Sequence, residues 1–166
     1  MRFSSLLWTV NRSAIIPASK IAGCSLRVAS AVLIIAFGAL PAFSQEAPRE
    51  IKGATTLDSR GVIDLILKTP DLVVVDTRKK ADFENGHIEG AINISDDDIS
   101  SEGVIAPFLK SKSSPVLFYC NGPKCGRAAN ATGKAIAWGY SKVFYYALGV
   151  NDWISNQLPL VTSAAH

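Results

Sequence analysis

Cys120 and Cys125, which enclose four residues, are the side chains of this sequence best placed to do chemistry. They lie in Val116-Leu-Phe-Tyr-Cys120-Asn-Gly-Pro-Lys-Cys125-Gly-Arg127. A hydrophobic run ends directly on Cys120, a loop with glycine and proline follows, and helical composition starts at Arg127. The pattern is strand, tight loop, helix, with a thiol at the strand's C-terminal edge. The N–H groups of such a loop and of the helix N-terminus carry partial positive charge, and they stabilise a thiolate or a seated anion. The thiolate is the nucleophilic form of cysteine, so this setting turns an ordinary thiol into a reagent. Gly122 and Gly126 are expected to supply the backbone freedom that gathers those N–H groups. Arg127 is a cation in a helix's first turn, which costs some tenths of a kcal/mol and argues for an anion opposite it. Lys124 lies in the same loop. The candidate site is therefore Cys120 as nucleophile, with Asn121, Gly122, Lys124, Gly126 and Arg127 around an anion and Cys125 as a second thiol.

The elements that must hold this loop are legible from hydrophobic patterning. Leu72–Val75, Val116–Tyr119 and Val143–Tyr146 are short, continuous, β-branched or aromatic runs of the kind that buried parallel strands show. Ala91–Ile94 is a fourth, shorter candidate. Asp58 is placed to cap a helix whose apolar residues Val62, Ile63, Leu65 and Ile66 recur at helical spacing. Arg127–Trp138 has helical composition, with small residues at Ala128, Ala129, Ala131 and Gly133 that allow close approach to a sheet. Asn151–Asn156 reads as a short terminal helix. Strands alternating with helices mean an α/β domain with a mostly parallel sheet, whose ligands sit beyond the strand C-termini. The acidic run Asp96-Asp97-Asp98 reads as a solvated loop, because it lacks the ligand spacing and turn glycine of a cation loop.

Composition narrows the classes. The chain has 166 residues, 48% hydrophobic and 19% charged, which excludes a disordered protein and favours a single domain. Its net charge of +3 is unevenly placed. Residues 1–44 hold Arg2, Arg12, Lys20 and Arg27 and no acid, leaving 13 basic against 14 acidic side chains in the remainder. The basicity belongs to the N-terminal segment, and no nucleic-acid footprint is expected. Val28–Phe43 is an uncharged apolar run after Arg27, ending in the A-x-S pattern Ala42-Phe43-Ser44. That is the order of a signal peptide, with cleavage expected after Ser44 and a periplasmic or secreted product. An uncleaved anchor is disfavoured because a span needs about 20 apolar residues. A lipoprotein signal at Ile21-Ala22-Gly23-Cys24 is disfavoured because Asn11, Arg12 and Lys20 interrupt the preceding stretch. Residues 45–52 read as a polar tether, and 53–162 as the folded domain.

Three ordered signatures in the mature chain resemble a rhodanese-like domain. The first is Val73-Val-Val-Asp76-Thr-Arg78 followed by Gly86-His87-Ile-Glu-Gly90-Ala91-Ile-Asn93. The second is the Cys120 loop with Arg127, and the third is Gly139-Tyr140 leading through Val143–Tyr146 to Gly149-Val-Asn-Asp-Trp153. The resemblance implies a three-layer α/β fold, a central parallel sheet with helices on both faces. It implies that Cys120 accepts a sulfane sulfur as a persulfide from a small anionic donor such as thiosulfate and passes it to cyanide, a thiol or a protein acceptor. Arg127 would face the donor's negative charge. Asp76, Arg78 and His87 would brace the fold without a chemical step. No cofactor and no metal is implied.

The loop departs from the family's usual form. The common sulfurtransferase loop places its arginine five residues after the cysteine, and relatives that handle phosphate or arsenate resemble Cys-x5-Arg. Here Arg127 is seven after Cys120, so loop length leaves substrate choice open. The second thiol, Cys125, is a further departure. Three readings remain: a sulfurtransferase in which Cys125 resolves the persulfide or stands idle, a thiol/disulfide redox protein that cycles the pair, and a non-catalytic module that binds an anion or a protein. Family members without activity usually lack the cysteine, which argues against the third. A metal site from Cys120, Cys125 and His87 has too few ligands. The export expectation is checked by N-terminal sequencing of protein recovered from the periplasm: the chain should begin at Gln45, whereas a full-length membrane-bound product would mean an anchor.

Overall fold

The computed structural model describes residues 46–163. The expected signal segment and Cys24 therefore lie outside the described residues. Five strands, β1 (Thr55–Thr56), β2 (Val73–Asp76), β3 (Ile92–Asn93), β4 (Val116–Tyr119) and β5 (Val143–Tyr146), form one sheet in the order β1-β5-β4-β2-β3. Every paired strand is parallel. Four helices accompany them: α1 (Ser59–Lys68), α2 (Lys80–Asn85), α3 (Arg127–Ala137) and α4 (Gly149–Ser155). Two single turns of 3-10 helix, Glu102–Val104 and Ala106–Phe108, lie between β3 and β4. Among the described residues, no helix is long and apolar enough to cross a membrane.

The two faces of the sheet follow from the alternation of side chains along each strand. Val75, Val116, Phe118, Val143 and Tyr145 face α3 and the 3-10 turns, packing with Ala128, Ala131, Ala135, Ile105 and Leu109. Val74, Leu117, Tyr119 and Tyr146 face the other way, onto Val62 of α1 and Val150 and Trp153 of α4. Both faces of the central strands are covered, so Val73–Val75, β4 and β5 are continuous apolar runs, as a buried parallel sheet favours. The alanines of α3 explain its close seat on the sheet. This is the expected three-layer α/β architecture.

The predicted β4 and β5 coincide with the observed strands, and β2 is displaced by one residue. Asp58 caps α1 as expected, its Oδ1 accepting from the Gly61 N–H at 2.8 Å. The β1 strand, α2 and the 3-10 turns were not anticipated. A two-residue strand carries no periodicity, and β1 exists because Thr55 and Thr56 pair with Phe144 and Tyr145 of β5. Residues 45–52, expected as a tether, require correction over their described part. Ala47 is buried, its N–H donates to the Pro123 carbonyl at 2.7 Å, and the Tyr145 hydroxyl donates to the Pro48 carbonyl at 2.9 Å. Polar composition concealed one small residue that fits a gap beside the cysteine loop. Asp96, read as solvated, also docks the β3–β4 connection onto α3, its carboxylate accepting from Lys134 and Asn130, each at 3.2 Å.

The most costly group in the core is a charge. Asp76, at the end of β2, is fully buried and pairs with Arg78, itself 4% exposed. Arg78 Nε and Nη2 both donate to the carboxylate, and Nη2 also donates to the Gly86 carbonyl at 2.6 Å. Burial pulls the guanidinium's pKa down, but the Asp76 carboxylate outweighs it and holds the pKa above its ordinary value. Arg78→Met removes the guanidinium and leaves that buried carboxylate without its counter-charge, with the N–H of residue 78 still donating to it, a defect worth about 3–5 kcal/mol. A urea melt should show the loss at the midpoint, and a variant as stable as the parent would refute this account of the pair.

Candidate functional site

Cys120 follows the last residue of β4, at the centre of the sheet's C-terminal edge. Its backbone is held from two sides. The preceding Tyr119 carbonyl accepts from the Thr77 N–H at 3.0 Å and the Thr77 hydroxyl at 2.8 Å, both beyond the end of β2. The Cys120 carbonyl accepts from Val150 N–H and the Asn121 carbonyl from Asn151 N–H, each at 2.9 Å. A helix start leaves N–H groups without intrahelical partners. In α4 two of these are satisfied by the cysteine loop, since no side chain caps this helix. That explains why α4 starts at Gly149, two residues before the sequence-based start: its cap is a distant segment.

Gly149 is the point of closest approach. It has φ +57°, and a Cβ there would lie 2.2 Å from the Cys120 carbonyl oxygen. Gly122 plays a related part, because a Cβ there would meet the Asn151 amide at 3.0 Å and the Leu148 carbonyl at 3.2 Å. The role expected of Gly122 and Gly126 is thereby corrected. Neither is among the glycines of positive φ. Gly122 is required by crowding rather than by torsion, and Gly126 adopts ordinary helical angles (φ −74°, ψ −9°) as the residue that starts α3.

The loop between β4 and α3 is a compact turn in which Cys125 N–H donates to the Gly122 carbonyl at 2.9 Å. It folds Cys125 back over Cys120. Their Cα atoms are 6.3 Å apart and their sulfurs are joined in a disulfide. Cys120 is 2% exposed, while Cys125 is only partly buried. Beyond the loop, α3 begins with no side-chain cap and no acidic residue in its first turn. Its leading N–H groups face the loop with their partial positive charge unanswered by a side chain.

A cleft of about 430 Å³ opens over this loop, lined by Glu46, Asn121, Gly122, Pro123, Lys124, Cys125 and Asn151. Of the residues singled out in the sequence, the fold brings Asn121, Gly122, Lys124 and Cys125 to the cleft. Cys120 lies beneath Cys125, and Gly126 and Arg127 form the start of α3 rather than the cleft wall. Neither Lys124 nor Arg127 forms an ion pair among the described residues. Sequence reasoning missed Glu46 and Asn151. Glu46 sits in the segment taken for a tether, and Asn151 was read only as a helix residue. The Gly149-Val-Asn-Asp-Trp153 signature carried the signal for Asn151, but not its contact with the loop.

His87 stands apart from the cleft. Its ring stacks on Phe83 with centroids 3.7 Å apart, and Nδ1 is 2.8 Å from the Phe83 carbonyl. Its backbone forms an antiparallel bridge with Val161. The structural role expected of it, with no chemical step, is the one this geometry supports.

Comparison with known proteins places these features in company. A family model described as Rhodanese-like domain matches residues 60–156. The uncharacterized protein YibN of Escherichia coli (strain K12) is 38% identical over 104 residues, covering 62% of this chain and 70% of its own. Among solved structures, the BH2092 protein of Bacillus halodurans aligns with a TM-score of 0.57 and 25% identity, over 66% of this chain and 77% of that one. The polysulfide-sulfur transferase homodimer of Wolinella succinogenes aligns with a TM-score of 0.55 and 19% identity, over 69% of this chain and 82% of that one, a likeness of fold.

The approach at Gly149 yields a direct test. Gly149→Ala forces a methyl group into the Cys120 carbonyl and strains a left-handed backbone, at a cost of about 1–3 kcal/mol or more. Urea denaturation should report that loss, and alkylation of the reduced protein should show altered reactivity at Cys120. A variant equal to the parent in both would mean that α4 does not set the cysteine loop.

Proposed function

Because the chain belongs to the Rhodanese-like domain family, we propose that it is a sulfurtransferase carrying a sulfane sulfur as a persulfide on Cys120. The observation that carries this reading is the place of Cys120, at the C-terminal edge of the central strand and before the uncapped start of α3. In the reduced protein, the Cys120 thiolate attacks the sulfane sulfur of an anionic donor such as thiosulfate. A bond forms between the two sulfurs, the donor's sulfur–sulfur bond breaks, and sulfite leaves with the electron pair. The first-turn N–H groups of α3 and the loop N–H groups stabilise the thiolate before attack and the persulfide anion after it. Lys124, on the cleft, and Arg127, at the head of α3, add positive charge for the donor. An acceptor thiol or cyanide then attacks the outer sulfur and regenerates the Cys120 thiolate. The carboxylate of Glu46 on the same cleft disfavours dianions there, so Lys124 has an opponent as well as a task.

The bond between Cys120 and Cys125 supports a second reading, a thiol/disulfide redox protein. Thiol-disulfide exchange on this pair would need no sulfur donor. The two readings differ in the first product, a persulfide in one and a reduced partner disulfide in the other. The proposed setting is the periplasm or the exterior, where disulfides persist.

After reduction, incubation with thiosulfate should add the mass of one sulfur atom to the protein, and cyanide should remove it as thiocyanate. Cys120→Ser should abolish both while retaining the fold, because a hydroxyl is far too weakly acidic to take the thiolate's place. Substantial thiocyanate production by that variant would exclude Cys120. A parent protein that forms no persulfide yet rapidly reduces a model disulfide would favour the redox reading.

A further inference from the structure

The disulfide is asymmetric, and that asymmetry assigns the two thiols different work. Cys120 is 2% exposed, locked to β2 and α4 through its own and its neighbour's carbonyl, and does not line the cleft. Cys125 is partly exposed, belongs to the loop and lines the cleft. The loop thus brings a partly exposed sulfur onto a buried one, with Cα atoms 6.3 Å apart. The distance falls within the range that disulfides use. Among the described residues, the sulfur that meets Cys120 Sγ is that of Cys125.

Resting on the sulfurtransferase reading, we propose that the protein is a sulfide-releasing reductase of sulfane sulfur, with Cys125 as the internal acceptor and an external dithiol as electron source. Once Cys120 carries a persulfide, the Cys125 thiolate attacks the inner sulfur, Cys120 Sγ. The bond between Cys120 and Cys125 forms, the bond from Cys120 to the outer sulfur breaks, and hydrosulfide leaves with the electron pair. The sulfane sulfur gains two electrons, which the two thiols lose in becoming the disulfide seen in the structure. A dithiol then resets the site. Its first thiolate attacks Cys125, the sulfur on the cleft, and Cys120 departs as a thiolate under the N–H groups that head α3. A leaving thiolate stabilised in this way departs faster, which favours cleavage in that sense. The dithiol's second thiolate attacks the mixed disulfide, frees Cys125 and closes the reductant's own disulfide. Over one cycle thiosulfate and a dithiol become sulfite, hydrogen sulfide and a disulfide, with atoms and charge in balance.

The longer loop acquires a purpose in this scheme. Its added residues include Pro123 and Cys125, and the turn from Gly122 to Cys125 is what returns the second thiol to the first. A cleft of about 430 Å³ admits a small dithiol or an extended protein loop that carries one.

A single turnover without any external thiol isolates the internal step. The protein is reduced, desalted under anaerobic conditions and mixed with one equivalent of thiosulfate. Wild type should release close to one sulfide per chain, lose both free thiols of the pair and fall by two hydrogens in mass. Cys125→Ser should instead hold the added sulfur atom and release no sulfide until cyanide or dithiothreitol is added. Wild type that keeps its persulfide and releases no sulfide would overturn this inference and leave the sulfurtransferase reading standing. Absence of both sulfide and persulfide in both proteins would overturn that reading itself. Oxidised wild type treated with glutathione and trapped in acid should carry the adduct on Cys125, and an adduct on Cys120 would overturn the order of attack.

Discussion

A buried negative charge organises this domain. Asp76 has no exposed surface, so every interaction around it must answer its charge in place. Arg78 does so with its backbone N–H and two guanidinium nitrogens, and its guanidinium also lies 5.9 Å from the Tyr119 ring centroid. The Asn93 amide donates to the Asp76 carbonyl at 3.0 Å and to the Arg78 carbonyl at 2.9 Å. The Tyr119 hydroxyl accepts from the Ile88 N–H at 3.2 Å, and burial, followed by the Asp76 charge, raises its pKa far above a free phenol's. The Asp76–Arg78 segment thereby links the ends of β2 and β3 through its main-chain carbonyls, with the Tyr119 ring of β4 beside the guanidinium. Such a network is stable only when complete, since any member removed leaves another unsatisfied.

Position on that edge is what gives the cysteine its setting. Tyr119 is in register with Asp76, and Cys120 is the next residue. The chain leaves the sheet at a point already fixed by the charge network, and Thr77 holds the Tyr119 carbonyl from the neighbouring strand. From the far side α4 supplies N–H groups to the Cys120 and Asn121 carbonyls, an approach that only a glycine at 149 allows. Trp153 anchors α4 in turn, packing on Tyr146 and donating to the Pro159 carbonyl at 2.9 Å. Cys120 is therefore fixed from both sides, while the loop carrying Cys125 is held by its own turn, by Ala47 and by the Asn151 N–H.

Burial of one sulfur and partial exposure of the other distinguish the two thiols of this site. Cys120 packs with Ala128 and Ala129 of the first turn of α3, a helix whose start has no side-chain cap. A second sulfur on a short loop meets it at little conformational cost, because only four residues intervene. In the disulfide-bonded form Cys120 is buried, and Cys125 is the one of the two sulfurs whose residue lines the cleft.

How much of this was legible in the sequence depended on the range of the interaction. The β4 and β5 strands, the Asp58 cap and the strand–loop–helix setting of Cys120 were readable because each is encoded within a few consecutive residues, by burial periodicity or capping chemistry. The family signatures carried the bracing roles of Asp76, Arg78 and His87. The two-residue β1, the packing of Ala47, the presence of Glu46 and Asn151 on the cleft and the need for glycine at 149 were not readable. Each is a contact between segments far apart in the chain, and such contacts leave no local pattern. The closure of Cys125 onto Cys120 lies between these cases. Spacing permitted it, but the turn from Gly122 to Cys125, held by Ala47 and crowded by α4, decided it. Sequence alone marked which residues are candidates for the chemistry and which strand delivers them. The tertiary structure alone decided which sulfur is fixed and which is accessible, because burial is a property of what packs around a residue rather than of the residue itself.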